Sequence, residues 1–327
     1  MKRILAGRQV NPIGLGCMSL SHGYGIAPAE ELSERLLHRA LDLGYDHLDT
    51  ARIYGLGRNE ALVGRALKAR RAEFLLASKM GIIADDGPRR IDCKPATIHR
   101  EIDKSLAALG VDHIDLYYMH RPDFSVPIED SMGAMAELVR QGKIGAIGLS
   151  EMSAATLRRA HAVHPVAAMQ TEYSPWTRNV EIAVLETTRE LGVTLVAFSP
   201  VGRGALCGTL RDAAGLPDKD MRHGMPRFQP GNWEKNLALI DAFAALAAGA
   251  GVTPAQLALG WVLTRGEHIV TIPGTTRIDH LEENIARAGW LPGPELVAQV
   301  DALMPPGAAA GPRYSEAMQR QVATEEF

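Results

Sequence analysis

Four polar residues of this chain, Asp49, Tyr54, Lys79 and His120, have the types needed to manage a proton together. Asp49 closes the short run His47-Leu48-Asp49, Lys79 closes Phe74-Leu75-Leu76-Ala77-Ser78-Lys79, and His120 closes Ile114-Asp115-Leu116-Tyr117-Tyr118-Met119-His120. Tyr54 follows Asp49 on the adjoining loop. A free tyrosine holds its proton to a pKa of about 10. A neighbouring ammonium favours the phenolate, so Lys79 is expected to lower that value for Tyr54, with Asp49 keeping the lysine charged and oriented. The phenol then becomes a usable general acid. His120 can donate a hydrogen bond to the same carbonyl oxygen, stabilising the negative charge that develops as hydride reaches the carbon. None of these groups activates a water or serves as a nucleophile, so the hydride must come from a cofactor. Asp49 with Lys79, or His120 alone, would equally suit a structural role; joint placement is what points to chemistry.

Such a constellation needs elements that end together. In a barrel of parallel strands the carboxyl ends converge on one face, where residues distant in sequence meet. Strand signals occur at Ile13 to Cys17, Leu48, the Phe74 run, the Ile114 run, Ala146 to Ser150, Ala167 to Gln170, Thr194 to Ser199 and Ile269 to Ile272, eight in all. Helical patterns separate them at 30–43, 59–69, 96–109, 128–141, 154–162, 180–191 and 234–248. Strict alternation with this strand count predicts a (β/α)8 TIM barrel. A short N-terminal hairpin is expected to close its bottom, and the tail from Pro305 to lie over the rim.

At 327 residues, with 46% hydrophobic and 22% charged side chains, the composition is that of an ordinary globular protein, and residues 1–327 are expected to form one barrel domain. A formal net charge of -3 gives no electrostatic reason to expect nucleic acid or an anionic membrane as partner. The basic start, Met1-Lys2-Arg3, is interrupted at Gly7-Arg8-Gln9 before an apolar stretch develops, and no run approaches a membrane span. Cys17, Cys93 and Cys207 lack metal spacing and cannot all pair, so no metal site and a reducing cytoplasmic setting are expected.

The later strands also end on informative residues. Ser150 and Gln170 could bind the carboxamide of a nicotinamide, and the ring of Phe198 could stack on it. Ser199 and Pro200 follow at the same rim, and Gly202 and Gly204 would let backbone amides approach a diphosphate. After the last strand come Gly274, Thr275, Thr276 and Arg277, the last opening a helix whose N-terminus suits a ribose 2′-phosphate. NADPH (NADP+) is therefore the expected cofactor. The run Gly202 to Gly208 imitates a dinucleotide fingerprint, but its third glycine comes one place late and it follows a seventh strand, so a Rossmann reading fails. His22, Tyr24, Trp176 and Trp233 are candidates for the substrate pocket.

Taken together these residues resemble the aldo-keto reductase superfamily. Gly44-Tyr45-Asp46-His47-Leu48-Asp49-Thr50-Ala51, with Tyr54-Gly55 and Asn59-Glu60, resembles its first signature, and Leu109 to Arg121 the second. Ile272 to Arg277 with Leu281-Glu282-Glu283-Asn284 resembles the cofactor-binding end. The resemblance implies a catalytic tetrad of Asp49, Tyr54, Lys79 and His120, with Tyr54 as proton donor to an aldehyde or ketone, and adenine contacts from Glu283 and Asn284. The run Pro226 to Asn236 resembles the branch containing pyridoxal reductases and auxin-induced-protein-like reductases. The chain departs from the common pattern at Glu151, where many relatives have asparagine, at Phe198, where a stacking tyrosine is frequent, and at His280, where some branches place an arginine for the 2′-phosphate. Two other readings suit the same fold. One is a Schiff-base aldolase using Lys79, which a charged lysine disfavours. The other is an NADPH-binding regulatory subunit.

Overall fold

The computed structural model describes residues 1–85 and 87–327. Strands β1 (Arg3–Leu5) and β2 (Arg8–Val10) form an antiparallel hairpin. They are followed by β3 (Leu15–Gly16), β4 (His47–Asp49) and β5 (Leu75–Met80), then a second small hairpin of β6 (Ile82–Ile83) and β7 (Arg90–Ile91). The remaining strands are β8 (Ile114–Met119), β9 (Ile144–Ser150), β10 (Val166–Glu172), β11 (Thr194–Phe198) and β12 (Ile269–Thr271). Leaving the hairpins aside, eight strands pair in parallel in sequence order from β3 to β12. The sheet closes on itself where the Gly14 amide donates to the Thr271 carbonyl at 2.8 Å and the Gly16 amide to that of Pro273 at 3.1 Å. A side chain at Gly16 would put its Cβ 2.7 Å from the Ile272 carbonyl oxygen, so this close seam requires glycine. The (β/α)8 expectation holds.

The helices are α1 (Glu30–Asp42), α2 (Arg58–Leu67), α3 (Pro95–Leu109), α4 (Ile128–Arg140), α5 (Ala154–Val163) and α6 (Val184–Glu190). After these come α7 (Trp233–Gly249), α8 (Pro254–Thr264), α9 (Ile278–Ala286), α10 (Pro294–Leu303) and α11 (Glu316–Gln319). The helix expected over 180–191 is broken into a 3-10 turn at Asn179–Glu181 and the shorter α6. Glu181 accounts for the break: it accepts hydrogen bonds from Tyr173 at 2.6 Å and Arg178 at 2.7 Å, which anchor its turn against β10 rather than along a helix. Helix α8 has no counterpart in the sequence reading. It is buried along nearly its whole length and apolar on all sides, so it lacks the one-sided periodicity that marks a surface helix.

Two apolar layers result from the alternation of side chains along the strands. Outward residues such as Leu76, Tyr117, Leu149, Met169 and Leu195 pack against the helices. Inward residues Leu75, Ala77, Leu116, Tyr118, Ala168, Val196 and Val270 fill the barrel, with Leu5 and Val10 of the first hairpin beneath them. Gly148 makes room for the Tyr118 ring, whose nearest atom would lie 2.2 Å from an added Cβ. Among the described residues no single helix is long and apolar enough to cross a membrane; α7 and α8 meet that test only as a pair bent by 86°.

Candidate active site

The same alternation aims the functional residues. Counting by twos from the inward Leu75 and Ala77 reaches Lys79, and from Leu116 and Tyr118 it reaches His120. Ala168 leads to Gln170, Val196 to Phe198, and Gly148 to Ser150, while Asp49 pairs in register with the inward Ala77. Each therefore points into the upper barrel, where the apolar filling gives way to polar groups. Tyr54 reaches them from a turn after β4 whose backbone passes through left-handed conformations at Gly55 and Leu56.

Lys79 is completely buried. Its ammonium donates to Asp49 in a short ion pair, to the Thr50 carbonyl at 2.8 Å and to the Tyr54 hydroxyl at 3.5 Å. Asp49 also accepts from the Gln170 amide at 2.8 Å. The His120 ring meets Tyr54 edge-on, with centroids 5.8 Å apart, and His22 stands on another side at 5.4 Å. Asn59 buttresses the cluster: it accepts from Thr50 at 2.6 Å and donates at 2.9 Å to both the Cys17 carbonyl and the Ser21 hydroxyl.

These contacts set the protonation states. Burial would lower the Lys79 pKa, but the charge of Asp49, the Tyr54 phenol and the hydrogen bonds to both outweigh it, and the net shift is upward. Lys79 is therefore charged and sealed away from the cavity, as the aldolase reading could not tolerate. The expectation that Lys79 lowers the Tyr54 pKa is corrected: the value is raised. Burial of the phenolate is the largest cause, and the charge of Asp49 opposes the lysine's pull. Tyr54 thus keeps its proton at neutral pH. His120 is driven well below its ordinary value by burial and then by Arg121, Lys79, Arg89 and His22, so it is neutral. Its Nδ1 is buried without a partner, and a proton on Nε2 is the arrangement that leaves no buried N–H unpaired.

A cavity of about 830 Å³ opens above this cluster. Its wall takes in Asp49, Tyr54, His120, Ser150, Gln170, Phe198, Ser199, Pro200, Gly204, Gly274, Thr275, Thr276, Arg277 and His280, together with His22 and Tyr24. Gly202, Glu283 and Asn284 do not line the cavity. Trp176 and Trp233 are a correction to the pocket expectation. Both are buried in the outer core around Phe228, with ring centroids 6.0 and 5.2 Å from it, and the Trp233 indole donates to the Arg211 carbonyl at 3.0 Å. Large aromatic surface on predicted loops was buried by packing instead of facing a ligand. Left-handed backbone at Glu151, Ser199 and Arg203 lies at this rim and marks local strain where the wall is shaped.

Glu151 explains one departure from the common pattern. Its side chain is fully buried and turned toward the C-terminal tail, where Arg313 donates to it at 2.7 and 3.2 Å and Thr324 at 3.1 Å. The Ala323 amide donates to its carbonyl at 2.8 Å. A second tie joins Arg203 to Glu172 at 2.6 Å and to the Tyr314 hydroxyl at 3.0 Å. Held in this way, the tail covers one side of the rim and contributes Tyr314 and Met318 to the cavity wall.

Residues 12–303 match the family described as the aldo/keto reductase family. This chain is a member of the aldo-keto reductase family. It is similar to the glycerol dehydrogenase AKR11B4 of Gluconobacter oxydans, with 29% identity over 92% of this chain and 94% of that one and a TM-score of 0.85. Likeness extends to aldo-keto reductase AKR11C1 of Bacillus halodurans in its holo form, with 27% identity over 96% and 98% of the two chains and a TM-score of 0.78. An aldo-keto reductase of Klebsiella pneumoniae, in complex with NADP and acetate, is 25% identical over 96% and 99% with a TM-score of 0.74. Family membership makes this chain an oxidoreductase of an NAD(P)H-binding family. None of these three neighbours is named a pyridoxal reductase.

The rim suits a dinucleotide by its chemistry. Gly274 lies so near β3 that an added Cβ would be 2.9 Å from the Gly16 carbonyl oxygen, which keeps the wall open to backbone approach. The hydroxyls of Ser199, Thr275 and Thr276 and the cation of Arg277 on this wall could donate to sugar and phosphate oxygens. Two arginines of the wall, Arg89 and Arg121, were not singled out from sequence. Arg121 directly follows His120, so a barrel-rim position was readable for it; Arg89 sits beside β7, in a hairpin the sequence did not announce.

Proposed function

We propose that this aldo-keto reductase carries out NADPH-dependent reduction of an aldehyde or ketone to the alcohol, with Tyr54 as proton donor. The observation that carries the reading is the Tyr54 hydroxyl at the cavity wall, 3.5 Å from a buried lysine that is itself paired with Asp49. NADPH, when bound, supplies hydride to the carbonyl carbon. Ser150 and Gln170 would hold the carboxamide of the nicotinamide and Phe198 its face. Ser199, Pro200, Gly202, Gly204, Gly274, Thr275 and Thr276 would line the diphosphate and riboses, and Glu283 and Asn284 would serve the adenine. Arg277 and His280 would face the 2′-phosphate, although the Arg277 guanidinium is paired with Asp279 here, 3.0 Å from its Oδ1. A phosphate must compete with that carboxylate for the fork.

In the chemical step, the neutral Tyr54 phenol gives its proton to the carbonyl oxygen. Lys79 stabilises the phenolate left behind, because the ammonium charge is permanent and its desolvation is already offset by Asp49. Neutral His120 donates to the same oxygen. Gln170 holds Asp49 from the far side, which keeps the lysine aimed at Tyr54. The free thiols Cys17, Cys93 and Cys207 suit a reducing cytoplasmic setting.

Loss of nicotinamide absorbance with a panel of aldehydes, pyridoxal among them, tests the reaction. Tyr54→Phe should cut the rate by about 10²- to 10⁴-fold while NADPH still quenches protein fluorescence. Near-normal turnover in that variant would remove Tyr54 from the role, and tight NADPH binding without turnover of any carbonyl would favour a regulatory subunit. Arg277→Ala should weaken NADPH by about tenfold or more relative to NADH; equal losses would contradict a 2′-phosphate contact.

A further inference from the structure

Of the five arginines that line the cavity, three are already matched by acids: Arg203 by Glu172, Arg222 by Asp220 and Arg277 by Asp279. Arg121 and Arg89 are not matched among the described residues. Arg121 uses only Nη1, donating to the His120 carbonyl at 2.7 Å and to the Ser150 hydroxyl at 3.5 Å. Arg89 uses only Nη1, donating to the Gln321 side chain at 2.6 Å. Their remaining donors have no partner among the described residues. Among the described residues Asp49 is the one acid on the cavity wall, and it is committed to Lys79 and Gln170. Glu151, whose charge Arg121 also feels, is committed to Arg313, Thr171 and Thr324.

Both arginines belong to the end of the cavity where Tyr54 and His120 stand. Arg121 directly follows His120 in the chain, and Arg89 comes from the β6–β7 hairpin, whose Ile82 lines the same wall. Each acts on His120 electrostatically, and partial burial with the like charge of Arg121 holds Arg89 below the ordinary arginine value. Two guanidiniums facing one space with no acid paired to either among the described residues repel each other and lose hydration, a cost that an anion between them removes. Their planar forks match the oxygens of a carboxylate or phosphate. The cofactor's phosphates do not answer to this pair under the proposed function, since those belong with the glycine-lined and Arg277 side of the rim.

We infer that the carbonyl substrate carries an anionic group, a carboxylate or a phosphate, and that Arg121 and Arg89 bind it beside Tyr54 and His120. This rests on the reductase reading for the position of the carbonyl. A neutral aldehyde leaves the pair uncompensated, so discrimination falls on KM more than on kcat.

The test compares 4-oxobutanoate with its methyl ester, and glyceraldehyde 3-phosphate with glyceraldehyde, each with NADPH. At least one anionic member should exceed its neutral partner in kcat/KM by about tenfold or more, and the pair that does so identifies the group. That ratio should fall by about tenfold to a hundredfold in Arg121→Gln and Arg89→Gln, fall with added salt, and survive in Gln321→Ala, which removes the Arg89 contact but not the charge. Turnover of the neutral members with no advantage for either anion, or ratios unmoved by both arginine substitutions, would overturn the inference and leave the reductase intact. If no carbonyl is reduced, the reductase reading fails. Calorimetric titration of succinate and of inorganic phosphate, with and without NADP+, then decides the anion site: saturable binding weakened about tenfold in the two variants supports it, and its absence overturns it.

Discussion

At the scale of single residues, the site depends on burial acting against charge. Lys79 and Asp49 are both out of water, and each compensates the other. Lys79→Met should therefore lower unfolding free energy by about 3–5 kcal/mol, read from urea titration, because it leaves Asp49 buried and unpaired. The raised Tyr54 pKa fixes a sign for pH dependence. The acid form needed for reduction persists through neutrality and is lost only as pH climbs past the raised value, so kcat for reduction should be flat near neutral pH and fall on the alkaline side. Alcohol oxidation needs the phenolate and should rise over the same alkaline range. His120 is already neutral, so no limb is expected near pH 6.5; an acid limb there that vanishes in His120→Asn would show the imidazole titrating and contradict its depressed pKa.

At the scale of elements, strand parity delivers the inward residues, and the tail is held by ion pairs as well as by the buried side chains of Ala309, Tyr314 and Val322. Glu151 is pulled down to about 2; burial opposes this, but Arg313, Arg121 and its hydrogen bonds prevail. A carboxyl depressed on folding stabilises above its unfolded pKa and loses that contribution as pH falls through the folded value, so the tie is complete at neutral pH and fails only in strong acid. Glu151→Gln should free the tail at pH 7, and trypsin should then cut at Arg313, which is only 6% exposed in the intact protein. Unchanged resistance at that bond would show that the Arg203, Glu172 and Tyr314 tie suffices.

At the scale of the whole molecule, closure of the sheet at β3 and β12 brings the two ends of the chain's strand series to one site. Gly16 and Gly274 make that seam, and neither can take a side chain without moving backbone. Gly16→Ala should destabilise by about 1–3 kcal/mol, since its Cβ meets a carbonyl oxygen rather than a movable side chain. A midpoint in urea unchanged from the parent would show that the seam yields. On the cavity wall Arg203, Arg222 and Arg277 are paired with acids, while Arg89 and Arg121 have no acid partner among the described residues.

The residues that end strands, and so Asp49, Lys79, His120, Ser150, Gln170 and Phe198, were legible because alternation along a strand is a local property with a fixed period. So was the barrel, from repeated strand and helix signals. Helix α8 was hidden because burial on all sides removes periodicity, and the β6–β7 hairpin because strands this short carry too little pattern. Trp176 and Trp233 were misplaced because an aromatic on a loop does not reveal whether it packs inward. The direction of the Tyr54 shift, the turning of Glu151 toward Arg313 and the unmatched state of Arg89 and Arg121 were decided only by tertiary structure. Each depends on desolvation and on which charges stand within a few ångströms, and those distances join residues from 25 to 162 positions apart in the chain.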